Sequence, residues 1–131
     1  MPNQSDANIK LVYAVDNNSF FAIDVVNNGD PFDVICNIEV GRDIMQSVDG
    51  FDVRVFIRNL SQSNTLLSET VSQNLADQAD AFNQEVRVNF AGGWSADDGD
   101  VLEPVASFKV RAGINSDYST LKGNTFMVSV P

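Results

Sequence analysis

Strict alternation of apolar and polar residues in the closing third of this chain is the feature that most constrains its fold. Three segments carry the pattern, at 82–90, 101–112 and 125–130. A period of two places every apolar side chain of a segment on one face of a pleated strand. Each segment is therefore predicted to be a β-strand with one buried and one solvent-exposed face, as in an antiparallel sheet.

The same pattern upstream predicts five more strands, separated by turn residues such as Asn28-Gly29-Asp30-Pro31. These strands are expected at 9–15, 20–26, 32–40, 51–60 and 65–75. In the first two, the residues expected to face the core are Ile9, Leu11, Tyr13 and Val15, and then Phe21, Ile23 and Val25. The connection at 41–50 is expected to hold a short helical turn, and 113–123 is expected to be a loop.

About eight strands without a long amphipathic helix predict an all-β fold. The prediction is one domain over residues 1–131, a single antiparallel β-sandwich of the immunoglobulin-like or jelly-roll kind. The single cysteine, Cys36, excludes an internal disulfide. Cys36 alternates with apolar residues, so it is interpreted as a small buried hydrophobe, with a reactive thiol as the alternative.

The stretch from Leu102-Glu103-Pro104 to Phe108-Lys109-Val110-Arg111-Ala112 is similar to the penultimate strand of fibronectin type III and immunoglobulin-like modules. The similarity covers little more than this one strand. It implies a sandwich architecture and carries no function. The chain departs from the immunoglobulin pattern because its only tryptophan, Trp94, follows late in the sequence and a cysteine pair is absent.

The inventory of reactive side chains argues against an enzyme. Histidine is absent, which removes the usual general base and the commonest zinc ligand. Nucleophile-elbow, phosphate-loop and dinucleotide-binding motifs are also absent from the sequence. A hydrolase would have to use carboxylates alone, as glycosidases do, with only three Trp or Tyr residues to bind a substrate. The chain is therefore predicted to be non-catalytic and to need no cofactor.

The formal net charge of −10 argues against nucleic acid and anionic membranes as partners, because binding phosphate requires clustered Lys and Arg. Most aspartates fall in predicted loops. Five basic residues instead fall on the polar faces of predicted strands: Arg54, Arg58, Arg87, Lys109 and Arg111. The strand faces are thus expected to be the least acidic surface of the protein.

Two segments contain candidate metal-binding or partner-binding residues. Asp97, Asp98 and Asp100 surround a glycine and favour an acidic turn, with a Ca²⁺ site as the alternative. Trp94, just before them, either caps the core or anchors a partner.

Phe56 lies on the polar face of its strand, between Arg54 and Arg58, so it is either covered by a loop or contacts another subunit. The candidate partner-binding residues are Trp94, Phe56, Arg54, Arg58 and Tyr118.

These observations favour a non-catalytic structural or assembly subunit, such as a decoration component of a phage or virus-like particle or a filament subunit. The expected partners are copies of the same chain or a protein lattice, with the segments 1–8 and 113–123 as arms. The alternative is a cell-surface binding module whose end loops recognise sugar or protein through Trp94 and Tyr118, with or without a stabilising Ca²⁺ ion. The polar start lacks the features of a secretory signal, which predicts a cytosolic chain or a processed piece of an exported protein, with a virion or extracellular surface assembly favoured.

Overall fold

Two β-sheets pack face to face around the apolar residues, which confirms the predicted all-β sandwich. The computed structural model describes residues 6–131. Within them the strands are β1 (Ala7–Asp16), β2 (Val25–Asn27), β3 (Phe32–Val40), β4 (Gly50–Asn59), β5 (Asn64–Asn74), β6 (Phe82–Phe90), β7 (Val101–Ala112), β8 (Asn115–Lys122) and β9 (Phe126–Ser129). One short helix, α1 (Arg42–Met45), occupies the β3–β4 connection, as expected. No helix in the described part of the chain is long and apolar enough to cross a membrane.

The strand order is that of an immunoglobulin-like sandwich. The smaller sheet has the order β1-β3-β6, and the larger sheet has the order β2-β9-β7-β4-β5, with β8 also paired to β7. The strands β1, β3 and β6 are ordered as A, B and E of the immunoglobulin fold, and β4 and β7 are ordered as C and F. β8, which follows β7 and pairs with it over eight residues, takes the place of G, whereas β9 pairs with β7 at two residues. The pairs are antiparallel except β2 with β9, which is parallel.

Aromatic rings from both sheets meet at one end of the core. Phe32 of β3 stacks on Phe90 of β6 with ring centroids 5.2 Å apart, and its ring meets that of Phe126 from β9 at 5.5 Å. Cys36 is buried on the same face of β3 as Phe32. Burial raises the pKa of the Cys36 thiol to about 12, so the group stays protonated and acts as a small hydrophobe.

A β-bulge in β1 overturns the predicted inward face of that strand. Ile9 lies opposite Ile38, but Leu11 lies opposite Asn37, so the register shifts by one residue between them. Ile9 therefore faces the core, Val12 and Ala14 take the inward positions, and Leu11, Tyr13 and Val15 lie on the outer face. Val15 is nevertheless fully buried there, beside Ala22 of the following loop. One extra residue reverses the side of every side chain after it. Alternation could not reveal the bulge because Leu11 and Val12 are both apolar.

The predicted second strand is also wrong for most of its length. Only Val25–Asn27 pairs as β2, and Phe21 and Val25 are exposed where the sequence predicted burial. The chain crosses here from the smaller sheet to the larger one, and residues 17–24 form the connecting loop. Backbone hydrogen bonds hold that loop, from Asp16 N to Phe21 O at 3.1 Å and from Ile23 N to Ala14 O at 3.1 Å.

The predicted loop at 113–123 is instead largely the strand β8. A tight turn at Gly113, with φ +62°, returns the chain alongside β7. Polar side chains of β8 then cover the free edge of β1: Ala7 N donates to Asp117 Oδ2 at 2.7 Å, and Ile9 N donates to Ser119 Oγ at 3.1 Å. β8 buries polar atoms against a backbone edge, so the apolar alternation of a core strand is absent. Of the predicted N-terminal arm, residues 1–5 lie outside the described part, and Ala7 already belongs to β1.

Candidate functional site

The outer face of the larger sheet gathers four of the five predicted partner-binding residues. The alternation of β4 sends Val53, Val55 and Ile57 inward and therefore sends Arg54, Phe56 and Arg58 outward. Tyr118 joins them from β8, because it lies opposite Lys109 of β7. We call this surface, formed by the outward residues of β2, β9, β7, β4, β5 and β8, the docking face.

Most of the basic charge of the protein lies on the docking face. Five of the eight Lys and Arg residues project from it, namely Arg54, Arg58, Lys109, Arg111 and Lys122. Asp52 and Glu103 are the acids on the same face of β4 and β7, so these strands with β8 carry a net charge of +3. The chain as a whole carries −10, so the remaining surface is strongly acidic.

Some of these basic side chains interact with neighbouring side chains, and others form no ion pair within the described residues. Arg54 Nε donates to Thr70 Oγ1 at 3.2 Å, and its guanidinium lies 6.0 Å from the centre of the Phe56 ring. Arg111 Nε lies 3.4 Å from Asp52 Oδ2. Among the residues that the structure describes, Arg58 and Lys122 take part in no ion pair. Glu103 of β7 lies opposite Arg58, but neither cation is within ion-pair distance of a carboxylate in the described residues, so both can still bind an external acidic group.

An apolar row crosses the docking face at one end, and sequence reasoning missed it. Val101 of β7 lies opposite Met127 of β9, which lies opposite Val25 of β2. Leu60, just after β4, joins the row because its N–H donates to Val101 O at 2.8 Å. Leu60, Met127 and Val25 are each 44–56% exposed. The signal in the sequence was Met127, an apolar residue at a position that the alternation assigns to the solvent side.

A depression joins the apolar row to the free cations. Its volume is about 460 Å³, and Phe56, Leu60 and Val105 form its apolar wall. Arg58, Lys122, Glu103 and Thr65 form its polar side, which carries two positive charges and one negative charge. Apolar surface bordered by charged groups is the usual composition of a protein–protein contact.

Trp94 lies elsewhere and is a core cap. Its indole Nε1 donates to the backbone oxygen of Asp30 at 2.8 Å, and its ring meets the edge of Phe32 at 5.9 Å. Only 8% of the residue is exposed. Trp94 is therefore not presented to a partner, and the predicted surface platform of Trp94 beside Tyr118 is not formed.

The predicted acidic turn uses its carboxylates for internal hydrogen bonds. Asp100 is buried, and its Oδ2 accepts from Asn59 Nδ2 at 2.8 Å and from Asp97 N at 3.1 Å. The hydrogen bond from Asn59 and then the one from Asp97 N lower the pKa of Asp100. Asp98 Oδ1 accepts from Val130 N at 2.9 Å. Within residues 6–131 no group of three or more His, Cys, Asp or Glu side chains is arranged to hold a metal ion.

A buried carboxylate on the smaller sheet fixes the loop at 17–24. Asp33 Oδ2 accepts from Arg87 Nη1 at 2.7 Å and from Asn18 N at 2.9 Å, and its Oδ1 accepts from Asn89 Nδ2 at 2.8 Å. Burial alone would raise the pKa of Asp33, but these hydrogen bonds and the Arg87 charge outweigh it and lower the pKa. The loop consequently lies over the outer face of the smaller sheet, with the Phe20 ring 4.8 Å from the Arg87 guanidinium carbon.

No protein-family model matches this chain, and no curated protein matches its sequence. Among solved structures it is similar to the CARDB domain of the PF1109 protein from Pyrococcus furiosus, which was determined in complex with di-metal ions. The two are 15% identical with a TM-score of 0.42, and the match covers 96% of this chain and 93% of that one. It is also similar to the CooA pilin subunit from enterotoxigenic Escherichia coli, at 10% identity and a TM-score of 0.39, covering 93% of this chain and 99% of that one. Neither similarity bears on what this protein does.

Proposed function

We propose that this protein is a non-catalytic assembly subunit that binds further copies of itself through the docking face. The observation that carries the proposal is the combination of an exposed apolar row and a net charge of +3 on one face of a protein of charge −10. A complementary partner must offer apolar contact and negative charge. The rest of this chain's own surface has that sign, so a subunit of a filament or of a particle's surface layer fits these properties.

The charge distribution restricts how two copies can meet. Two docking faces packed against each other would bring basic residues together. Both ends of the sandwich are acidic, with exposed Asp77 and Asp80 at one end and Asp97 and Asp98 at the other, so packing end to end is repulsive as well. A docking face against an acidic surface of the next copy is the attractive combination.

The alternative of a surface module that binds sugar through its end loops has less support. That function needs an exposed aromatic platform at a loop end, and Trp94 is buried there. The Asp97–Asp100 turn, in which a stabilising Ca²⁺ would sit, directs its carboxylates to backbone and side-chain donors of the chain itself.

Arg58→Glu is expected to weaken self-association at least about tenfold, which corresponds to about 1.4 kcal/mol. The reversed charge would face the acidic surface of the partner at the edge of the apolar depression. Sedimentation velocity over a range of protein concentrations at low salt measures the effect, and added salt should weaken the wild-type association.

Arg42→Glu is the matched control, because it makes the same change of charge on α1, outside the docking face. It should associate as the wild type does. Equal weakening by both variants would mean that overall charge, and not the docking face, governs association. A wild-type protein that stays monomeric at every concentration would overturn the proposed function.

A further inference from the structure

We infer that the contact between copies is heterologous: the loop at 17–24 of one copy inserts Phe21 into the depression bounded by Phe56, Leu60 and Val105 on the docking face of the next. The inference rests on the proposed function and specifies its geometry. We call residues 17–24 the phenylalanine loop. Three independent observations lead to it, namely the exposure of Phe21, the charge around the loop and its position on the sandwich.

Phe21 is exposed and held in place. It is 77% exposed, more than any other aromatic side chain in the described residues. Its backbone N–H donates to Ser19 Oγ at 3.2 Å, and its carbonyl oxygen accepts from Asp16 N at 3.1 Å. The bond from Asn18 N to Asp33 ties the loop to the buried carboxylate. An aromatic ring on a preorganised loop loses little conformational entropy on binding, which is the property of a strong interface anchor.

The depression on the docking face suits an aromatic ring. It has a volume of about 460 Å³ and an apolar wall formed by Phe56, Leu60 and Val105. A buried aromatic side chain removes roughly 150–250 Å² from water, so Phe21 would contribute much of the apolar contact. Phe20 lies beside it in the loop and is also exposed.

The charges of the two surfaces are complementary. Asp16 directly precedes the phenylalanine loop and is exposed, whereas Asp24, the exposed last residue of the loop, lies beside Met127 of the larger sheet. The outer face of the smaller sheet under the loop adds the charged residues Lys10, Asp33, Glu39, Glu85 and Arg87. Together with Asp16 they give a net charge of −2, opposite in sign to the +3 of the docking face. Arg58 and Lys122, which lack ion-pair partners within residues 6–131, lie at the edge of the depression.

The loop and the depression lie on different parts of the sandwich. Asn18 bonds to Asp33 and Phe20 lies over Arg87 on the outer face of the smaller sheet, and the loop then crosses to the larger sheet, where the Asp24 backbone oxygen accepts from Met127 N at 2.8 Å. The docking face is the outer face of the larger sheet. Phe21 is held beside Asp16 of β1 and does not line the depression on β4, β7 and β8, so one molecule does not fill its own depression. A bound copy still presents an unused loop and an unused docking face. A contact of this kind continues into a chain or closes into a ring.

Complementation between two variants tests the inference. Phe21→Asp removes the inserted ring, and Leu60→Asp places a carboxylate in the apolar wall of the depression. Each variant alone should be monomeric in sedimentation velocity at concentrations where the wild type forms larger species. An equimolar mixture should form a dimer and nothing larger, because the intact loop of the Leu60→Asp copy can bind the intact docking face of the Phe21→Asp copy.

Ile114→Asp is the control. Ile114 is fully exposed at the β7–β8 turn and belongs to neither surface, so this variant should associate as the wild type does. Circular dichroism and thermal melting establish that each variant is folded, and Phe21→Ser replaces Phe21→Asp if the latter is not.

The outcomes separate the inference from the proposed function. Normal association of Phe21→Asp with loss in Leu60→Asp would overturn the role of the loop and leave the docking face in place. Monomeric variants whose mixture is also monomeric would overturn the contact between the loop and the depression. Normal association of Phe21→Asp, Leu60→Asp and Arg58→Glu would overturn both.

Discussion

Phe32→Ala is expected to lower the free energy of unfolding by about 4 kcal/mol, near the middle of the range for buried aromatic-to-alanine changes. The Phe32 ring is completely buried and contacts Phe90 of the smaller sheet, Phe126 of the larger sheet and the Trp94 cap. Removing it leaves a cavity between the two sheets that rigid neighbouring rings cannot fill. Urea denaturation followed by Trp94 fluorescence measures the loss.

Two further variants calibrate this expectation. Phe32→Leu keeps most of the apolar volume and should cost clearly less than the alanine change. Phe20→Ala removes an exposed ring that lies over the Arg87 guanidinium, and should cost no more than about 1 kcal/mol. A loss of less than about 1 kcal/mol for Phe32→Ala would contradict a core centred on this ring, since deletions of that kind cost several times more in packed interiors.

Asp33→Ala is expected to cost about 3 kcal/mol at neutral pH. The change leaves the Arg87 guanidinium, the Asn18 N–H and the Asn89 amide without their acceptor. Breaking a buried ion pair by removing one partner costs roughly 3–5 kcal/mol, and the lower value applies because the Arg87 side chain is 29% exposed and partly reached by water. Asp80→Ala, at an exposed position in the β5–β6 connection, is the control and should be near neutral.

The pH dependence of stability gives a second measurement on Asp33. Its pKa lies below the ordinary value of 3.8 in the folded protein, so unfolding takes up a proton between the folded and unfolded pKa values. The stabilisation is complete above the ordinary pKa and is lost as the pH falls through the folded one. The pKa of Asp100 is also lowered, so Asp100 likewise makes the protein less stable as the pH falls. Asp33→Ala should therefore lose less stability than the wild type on acidification, and an unchanged pH profile would assign the acid sensitivity to other carboxylates.

The strands that bury one face were predictable because apolar and polar residues alternate along them with a period of two. Phe82–Phe90 and Val101–Ala112 have the predicted bounds, and so does Phe32–Val40. β8 was not predictable in this way because Asp117 and Ser119 bond to the backbone of β1 and need no apolar alternation. A strand that satisfies an edge with polar side chains resembles a loop in sequence.

The candidate site, like the fold, was only partly predictable from the sequence. Arg54, Phe56 and Arg58 could be placed on one surface from the sequence, because residues two apart on a strand share a face. Their proximity to Tyr118 depends on the pairing of β7 with β8, and a single sequence contains no direct record of pairing. The partner-binding role considered for Trp94 depended on exposure, which only the packing of the ring against Phe32 decides.

The sequence by itself determined the all-β class, the absence of the usual catalytic groups and the separation of basic strand faces from acidic loops. These properties reside in residue types and in their local period, so they do not depend on how the strands are ordered. Only the tertiary structure decided that Leu60, Val101, Met127 and Val25 form one apolar row, and that Asp33 holds the phenylalanine loop over the opposite sheet. Both arrangements join residues that are far apart in the chain. Strand register and the β1 bulge bring these residues together, and long-range packing selects both.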